Sequence, residues 1–365
     1  MKCVIHIGTE KTGSTSIQQF MHQNRIKLYG QGVIFTQSAG KANNHGICFI
    51  AEHPGKNDDV TRVWGSALKG VKYDRAKRKC ASRLKGEIKR KIKHKKDPTL
   101  VISSEHIQSR LDKEELKNLK AFLVNVGVSE FKIVVYLRDP VGTAQSLYST
   151  VLKVGRTYSM PHPDDQPYYK NVCDHKATIE RFESVFGRGT VVPRIFERDE
   201  LVNCSVVDDF LSLIGITNTD KFKQAVIKNE SLSPTGAILL KHLNHRILRE
   251  IDGVLNPKRH LLISAFEEFF STGKYEMPIE IKKAYEEMFL SSNEWVRLRY
   301  FPDRTSLFKS SKSRPEVSEI NMEEIADFIA MLWDEYHTLH LRRVMHYHYH
   351  KQMKWLKKRL GYAVR

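Results

Sequence analysis

Lys11 lies in a loop whose residue types suit the binding of a phosphate or sulfate group. The loop reads T-E-K-T-G-S-T-S over residues 9–16, so hydroxyl side chains surround a lysine and a glycine. A mostly apolar run at residues 4–7 predicts a buried strand before it, and apolar spacing at residues 17–21 predicts a helix after it. A helix that starts at such a loop presents free N–H groups and the positive end of its dipole to an anion. The pattern therefore predicts an anion-binding loop in which Lys11 supplies a full charge.

The position of this lysine differs from that in the nucleotide P-loop, G-x-x-x-x-G-K-[ST], where the lysine directly follows the second glycine. Here Ser14 follows Gly13, and Lys11 precedes that glycine. A nucleotide kinase or nucleotidase would need a lysine in place of Ser14 and would need magnesium. That class stays open as an alternative, as does a plain strand-to-helix connection.

A second strand-to-helix junction carries an arginine. The run K-I-V-V-Y at residues 132–136 predicts a buried strand, and Arg138, Asp139 and Pro140 follow it, before an apolar helix that contains Ser146. The planar guanidinium of Arg138 could bind phosphate oxygens, and Pro140 suits a first helical turn. Ser146 would add a hydroxyl about two turns into that helix. The alternative is a surface arginine paired with Asp139.

Together the two motifs resemble those of sulfotransferases that use 3′-phosphoadenosine 5′-phosphosulfate (PAPS). K-T-G-S-T after the first strand resembles their loop for the 5′-phosphosulfate, and R-D-P with a later serine resembles their site for the 3′-phosphate. Weaker similarity to bacterial carbohydrate sulfotransferases runs through residues 100–107, 191–201, 208–216, 229–233 and 297–301. The resemblance assigns donor binding to Thr9, Lys11, Thr12, Gly13, Ser14, Thr15, Ser16, Arg138 and Ser146.

The resemblance also implies the reaction. A sulfuryl group would pass from PAPS to a hydroxyl or amine of a carbohydrate, in a polysaccharide or glycolipid, with 3′-phosphoadenosine 5′-phosphate (PAP) as the product. Positioning and electrostatics dominate such an in-line displacement, and no metal ion is required. Lys11 would stabilise the leaving phosphate.

A general base must take the proton of the acceptor group. Glu105, at the end of a predicted strand, is the first candidate because the family has a catalytic His or Glu there. Its neighbour His106 is the second candidate, and His45 in N-N-H-G is the third. The alternatives are a helix-capping carboxylate for Glu105 and a turn residue for His45.

Two departures from the family pattern bear on the acceptor and the loop. Glu10, beside Lys11, could partly neutralise the loop, and S-S-E-H replaces the K-T-H turn of the small-molecule enzymes. The replacement of K-T-H by S-S-E-H favours a sugar acceptor. Arg299 and Tyr300 are candidates to line the nucleotide site, with Arg297 beside them.

Strand patterns alternate with helical patterns in the first part of the chain. After the first unit, strands are predicted at residues 32–36, 99–103, 131–136 and 190–195. This alternation predicts a parallel sheet flanked by helices in three layers, similar to the P-loop NTPase fold, with right-handed crossovers. Ligands bind at the carboxyl ends of such strands, where Lys11, Glu105 and Arg138 would arrive.

Strand patterns stop beyond residue 220, and helices are predicted at residues 237–251, 257–271 and 322–340. We expect one sulfotransferase domain over residues 1–345. Residues 1–220 would form its α/β core, with a basic insertion at about residues 60–97. Residues 221–345 would form a helical cap that packs on the sheet and closes the site.

The net charge of +18 is concentrated in two segments. Residues 69–96 are rich in Lys and Arg, which fits either a solvated face or a surface that recruits an acidic glycan, nucleic acid or anionic lipid. Residues 346–365 interleave aromatic residues with lysines, as an interfacial amphipathic helix does. We expect this tail to contact the anionic inner face of a membrane, near lipid-linked or exported glycan.

The charge also fits a noncatalytic polyanion-binding protein, although such a protein would not explain the paired motifs. No motif for specific nucleic-acid recognition accompanies the basic tail. The alternate spacing of His346, His348 and His350 argues against a metal site, because it spreads them over different helix faces.

Cysteine usage indicates a reducing compartment, because Cys3, Cys48, Cys80, Cys173 and Cys204 are scattered and odd in number. No apolar run approaches the about twenty residues that span a bilayer. The first strand begins directly after Met1, so we expect no cleavable signal. The expected location is cytoplasmic, with peripheral contact to the inner membrane face.

Overall fold

A five-stranded parallel sheet forms the centre of the molecule. The structure, a computed structural model, describes residues 1–56, 58, 71–216, 219, 221–224, 231–252, 254–271, 273, 275–309 and 320–338. The strands are β1 (Lys2–His6), β2 (Val33–Phe35), β3 (Thr99–Ser103), β4 (Glu130–Leu137) and β5 (Val191–Ile195). They lie in the order β2-β3-β1-β4-β5, and every neighbouring pair is parallel. The predicted α/β fold class is confirmed. Strands β2 to β5 lie within one residue of their predicted bounds, whereas β1 begins two residues before the predicted run and ends one residue before its end.

Helices cover both faces of this sheet. They are α1 (Ser14–Gln23), α2 (Arg25–Gly30), α3 (Gly46–Ala51), α4 (Val71–Ile92), α5 (His106–Arg110), α6 (Lys113–Asn125), α7 (Pro140–Lys153), α8 (Pro167–Cys173), α9 (His175–Phe186) and α10 (Val206–Leu213). Short 3₁₀ turns follow β5 at Arg198–Glu200 and Val202–Cys204.

Alternation along β1 explains the three layers, because successive strand side chains point to opposite faces of a sheet. Cys3 and Ile5 lie in a core with residues of α3, α4, α6 and α9. Val4, between them, lies in a second core with residues of α1, α2 and α10. All three side chains are fully buried, as expected for a parallel strand covered on both faces.

The described residues divide into two compact units. The first holds the sheet and draws on Met1–Val151, Tyr158–Asn229 and Met277–Pro315. It includes α13 (Ile279–Tyr300), whose Val296 is buried in the first core. Part of the segment predicted to be a helical cap therefore belongs to the unit that contains the sheet.

The second unit draws on Leu152–Thr157, Glu230–Glu276 and Glu316–Arg365. Its elements are α11 (Pro234–Asn244), β6 (Glu250–Ile251), β7 (Val254–Leu255), α12 (Pro257–Phe269) and a helical segment at residues 322–338. Phe266, Phe270 and Phe328 pack with ring centroids 4.9–5.1 Å apart. These aromatic residues form the core of the unit.

The helix predicted over residues 237–251 is shorter than expected at its C-terminal end. The expectation that strands stop beyond residue 220 was wrong. The helix ends at Asn244, and β6 and β7 pair as an antiparallel hairpin. Asp252 adopts a left-handed φ of 52° there. An Asp-Gly pair, here Asp252 followed by Gly253, favours such a tight turn.

Several predictions concern residues outside the described ranges. The tail at residues 346–365, which contains His346, His348 and His350, lies outside these ranges. So do residues 59–70, at the start of the basic insertion. Among the described residues, no helix is both long enough and apolar enough to cross a membrane.

Candidate active site

The loop between β1 and α1 is anchored to the neighbouring strand β4. The backbone N–H and the hydroxyl of Thr9 both donate to the carbonyl oxygen of Tyr136, at 3.0 and 3.2 Å. Within the loop, Thr12 Oγ1 donates to the carbonyl of Thr9 at 2.6 Å. These bonds fix the path of the backbone around Lys11.

Three residues of the loop have positive φ values: Gly8 at 90°, Lys11 at 65° and Gly13 at 77°. A Cβ atom on Gly13 would lie 2.9 Å from Cγ1 of Val206 and 3.3 Å from the ring of Phe196. Glycine is therefore required there by conformation and by space. Gly13 is also the N-cap of α1, which has no side-chain cap, so the first N–H groups of α1 are open to an external anion.

Arg138 connects the two sequence motifs. Its Nη1 donates to the carbonyl oxygen of Lys11 at 3.0 Å, which supports the left-handed backbone of Lys11. The guanidinium makes no other hydrogen bond to a described residue, so its remaining N–H groups can bind a ligand. Burial lowers the pKa of Arg138, and the nearby charge of Asp139 opposes that shift.

Asp139 does not form the ion pair of the alternative interpretation. Its Oδ2 accepts from the backbone N–H of Gly142 at 2.9 Å, so it caps the start of α7. Burial raises the pKa of Asp139, with this hydrogen bond and Arg138 acting in the opposite direction. Ser146 lies in the second turn of α7 and is partly exposed.

Glu105 lies in the turn between β3 and α5, where its side chain does not cap the helix. Its Oε2 instead accepts from Nε2 of Gln18 at 2.7 Å, and its Oε1 lies 3.3 Å from Nε2 of His45. The rings of His45 and His106 stack with centroids 3.9 Å apart. The structure thus brings the three candidate bases together, with Gln18 as an added member.

The environment keeps Glu105 ionised. Burial alone would raise the pKa of Glu105, but the hydrogen bond from His45 and the charges of His45 and His106 outweigh it and lower the pKa. On the neighbouring strand β1, Nδ1 of the fully buried His6 lies 2.8 Å from the hydroxyl of Ser103, the last residue of β3. Burial lowers the pKa of His6 to about 4, so that imidazole is neutral near pH 7.

Asn44 positions His45 by joining the ends of two strands. Its side-chain Nδ2 donates to the carbonyl of Thr36 after β2 at 3.1 Å, and its Oδ1 accepts from the N–H of Ser103 at 2.9 Å. Its own N–H donates to the carbonyl of Ser103 at 3.0 Å. Asn44 lies within the N-N-H-G motif, but its contacts with Thr36 and Ser103 were not predicted from the sequence.

The anion-binding loop and the base cluster meet at Gly8. A Cβ atom on Gly8, which has a φ of 90°, would lie 3.0 Å from the Cβ of Glu105. The close approach of the two backbones requires a glycine. Lys11, Arg138 and Glu105 therefore occupy one continuous region at the carboxyl ends of β1, β4 and β3.

Glu10 forms hydrogen bonds and an ion pair with residues other than Lys11, its neighbour in the sequence. Its carboxylate accepts from Oγ of Ser109 at 2.8 Å, from the hydroxyl of Tyr168, and from Nη1 of Arg110 at 3.4 Å. The charge of Glu10 is therefore matched by Arg110.

Arg299 and Tyr300 share a partner on α9 that the sequence did not reveal. Nη2 of Arg299 and the hydroxyl of Tyr300 bind the carboxylate of Glu183 at 2.7 and 3.1 Å. The guanidinium of Arg299 also stacks over Trp295 at 5.0 Å. These contacts join α13 to α9, and a role for either residue in nucleotide binding stays a prediction.

One group in this region could also hold a metal ion. Ligand atoms of His45, Glu105 and His106 all lie within 4.8 Å of one another. Imidazole and carboxylate donors suit zinc and similar ions. Removal of metal ions therefore belongs in any assay of this site.

Comparison with known proteins finds only weak similarity. No protein-family model matches the chain. A protein of Archaeoglobus fulgidus described as uncharacterized is 23% identical over 219 residues, which cover 58% of this chain and 56% of that protein. The match thus spans little more than half of the archaeal protein. The crystal structure of a sulfotransferase from Alicyclobacillus acidocaldarius aligns with 79% of this chain and 95% of its own, at 16% identity and a TM-score of 0.40.

Proposed function

We propose that this chain is a sulfotransferase that transfers a sulfuryl group from PAPS to a hydroxyl or amine of a carbohydrate. The observation that carries the proposal is the hydrogen bond from Arg138 to the carbonyl of Lys11. It joins, in one site, the two motifs that resemble the 5′-phosphosulfate loop and the 3′-phosphate site of such enzymes. The open N-terminus of α1 beside them supports the binding of an anion.

In the proposed donor complex, Lys11 and the first N–H groups of α1 hold the 5′-phosphosulfate. Arg138 and Ser146 bind the 3′-phosphate. The acceptor oxygen forms a bond to sulfur while the bond from sulfur to the bridging phosphate oxygen breaks, and that electron pair remains on PAP. Lys11 stabilises the charge that develops on the leaving phosphate.

Glu105 is the proposed proton acceptor in this step. Glu105 is ionised, as a base must be before it accepts a proton, although its lowered pKa makes it a weaker base than an ordinary carboxylate. A carboxylate offers about four lone-pair sites. The hydrogen bonds with Gln18 and His45 therefore leave room for an acceptor hydroxyl. Gln18 and His45 would act as positioning residues.

Binding of PAP tests the proposal most directly. PAP at about 100 times its Kd should raise the melting temperature by a few degrees, because it binds only the folded chain. Lys11→Ala and Arg138→Ala should each reduce this shift by at least half. Lys113→Ala and Arg188→Ala, at exposed positions of the same unit, are the matched controls.

Absence of any stabilisation of the wild-type chain by PAP would rule out the proposed donor. Tight magnesium-dependent binding of ATP would favour a nucleotide kinase instead. Sulfate transfer should persist in EDTA; loss of transfer, restored by zinc, would instead assign His45, Glu105 and His106 to a metal.

We also propose that the chain works in the cytoplasm, at the inner face of a membrane, through residues 346–365. The support is the alternation of aromatic and basic residues in that segment. Deletion of residues 346–365 should weaken sedimentation with anionic liposomes at least about tenfold and leave PAP binding intact. Equal liposome binding by the two forms would contradict the role of the tail.

A further inference from the structure

A cavity of about 540 Å³ lies at the β2 edge of the sheet, apart from the anion-binding loop. Its walls come from α2, from the turn after β2 and from the end of α4. Its polar lining includes Arg25, Tyr29, Gln37, Ser38, Arg90 and Lys91. The volume falls in the range of about 300–1,000 Å³ that is usual for ligand pockets.

The cavity is positively charged because its acidic residue, Glu87, is already satisfied. The carboxylate of Glu87 accepts from the backbone N–H groups of Gln37 and Ser38 at 3.1 and 2.8 Å, and pairs with Lys91 at 2.9 Å. Arg25 donates to a backbone carbonyl, and Arg90 has no hydrogen bond or ion pair with a described residue. Two guanidinium groups are thus available to an anionic ligand.

The outer face of α4 extends this charge. Tyr73, Cys80, Leu84 and Ile88 are buried, so the opposite face of the helix is exposed. The exposed cations on α4 include Arg75, Arg78, Lys79, Lys85 and Lys89. Pairs such as Lys85 and Lys89 are one helical turn apart, a spacing at which like charges destabilise a helix. Within the described residues these cations have no carboxylate partner, and a polyanion would relieve their repulsion.

The cavity lies at the end of β2, the strand that neighbours β3 and its base cluster. It includes Gln37 and Ser38, and the loop that follows leads directly to His45. The sheet order β2-β3-β1-β4-β5 places Arg138, the loop after β1, Glu105 and the cavity on successive strands. The cavity is therefore on the side of Glu105 opposite to Arg138.

We infer that this cavity and the outer face of α4 bind an anionic polysaccharide, and that sugars bearing carboxylate or sulfate groups are the acceptor class. At about 1.5 Å per residue, α4 is about 33 Å long and can follow several sugar units. The cavity offers hydroxyl, amide and guanidinium groups suited to hydroxyl-rich, acidic sugars. The term acceptor rests on the proposed function, whereas polysaccharide binding does not.

The wall of the cavity favours a glycan over a single-stranded nucleic acid, which binds by stacking its bases on aromatic side chains. Nζ of Lys95 lies 4.8 Å above the ring of Tyr29, the aromatic residue of the wall. The Tyr29 hydroxyl donates to the carbonyl of Lys91 at 3.0 Å, which holds the ring in place. Base stacking on that face would require Lys95 to move.

The experiment compares three double variants that each remove two positive charges. Arg25→Gln with Arg90→Gln alters the cavity, Lys85→Gln with Lys89→Gln alters the outer face, and Lys113→Gln with Arg188→Gln is the control. Binding is measured by biolayer interferometry to polygalacturonate, to neutral dextran and to duplex DNA over a range of salt concentrations. PAP-induced stabilisation of each variant reports folding and an intact donor site.

The wild-type chain should bind polygalacturonate and not dextran. The cavity and outer-face variants should bind it about tenfold more weakly, with the slope of log affinity against log salt reduced by about two. No binding by the wild type, or an equal loss in the control, would overturn the inference. Tighter binding of duplex DNA through the same residues would make this a nucleic-acid surface. Failure of PAP to bind would contradict the proposed function, but it would not contradict the inference that the chain binds a polysaccharide.

Discussion

At the scale of single residues, the neighbours of Glu105 determine its charge. Gln18 and His45 bind the two carboxylate oxygens, and the hydrogen bond and charge of His45 help to lower the pKa. Burial acts in the opposite direction. The pH range in which Glu105 can accept a proton is therefore set by His45 as much as by Glu105.

His45→Ala should raise the pKa of Glu105, because burial would then act with less opposition. The variant should lose roughly threefold or more of its kcat/KM between pH 7 and pH 5, a loss that the wild type should not show. His106→Ala removes a charge but no hydrogen bond to Glu105, so its loss should be smaller. Parallel pH profiles in all three proteins would show that His45 does not tune Glu105.

Local patterns in the sequence predicted that Lys11, Arg138 and Glu105 lie at the carboxyl ends of strands, because each lies within five residues of the end of a buried strand. They did not find Gln18, which lies 87 residues from its partner Glu105 in the chain. Nor did they predict the contacts of Asn44, which is 59 residues from Ser103. Such contacts depend on strand register, which a single sequence does not specify.

At the scale of elements, the loop before α1 depends on the conformation of Gly13. Gly13→Ala should destabilise the fold by about 1–3 kcal/mol through its positive φ and its contact with Val206, and should weaken PAP binding. Gly32→Ala is the matched control, because Gly32 has a φ of 84° with nothing within 4 Å of the added Cβ. Urea unfolding with and without PAP measures both effects. Equal behaviour of the two variants would mean that the packing against Val206 is unimportant.

Strands β1 to β4 were predictable because most of their residues are buried and form apolar runs, whereas β5 alternates buried and partly exposed residues. The hairpin of β6 and β7 was not predictable, because its strands are two residues each and fully on the surface. Its signal was the Asp252-Gly253 pair, which the helical pattern around it obscured. The contacts of Arg299 and Tyr300 with Glu183 were also unpredictable, since they join helices far apart in the chain.

At the scale of the whole molecule, buried histidines make folding depend on pH. The pKa of His6 is about 4 in the folded chain, against about 6.5 for an unperturbed histidine. Between these values the unfolded state binds more protons, so the free energy of unfolding falls as the pH falls from 6.5 to 4. The contribution of His6 is at most about 3 kcal/mol.

His6→Gln should flatten this decline, when urea unfolding is followed from pH 7 to pH 4. Some decline should remain, because burial also lowers the pKa of His175 to about 4. His94→Gln removes an exposed histidine of the same unit and should leave the wild-type slope unchanged. A slope in His6→Gln as steep as in the wild type would contradict the assignment.

Asn44 also has a consequence for the order in which the molecule assembles. It bonds to Thr36 after the edge strand β2 and to Ser103 at the end of β3, and the next residue, His45, lies beside Glu105. The loop after β1 is instead anchored to β4. Under the proposed function, docking of β2 is therefore needed to place His45 but not to form the loop that would hold the donor. Sulfuryl transfer, if the proposal holds, would then depend on a complete sheet edge, whereas PAP binding would depend only on the strands at its centre.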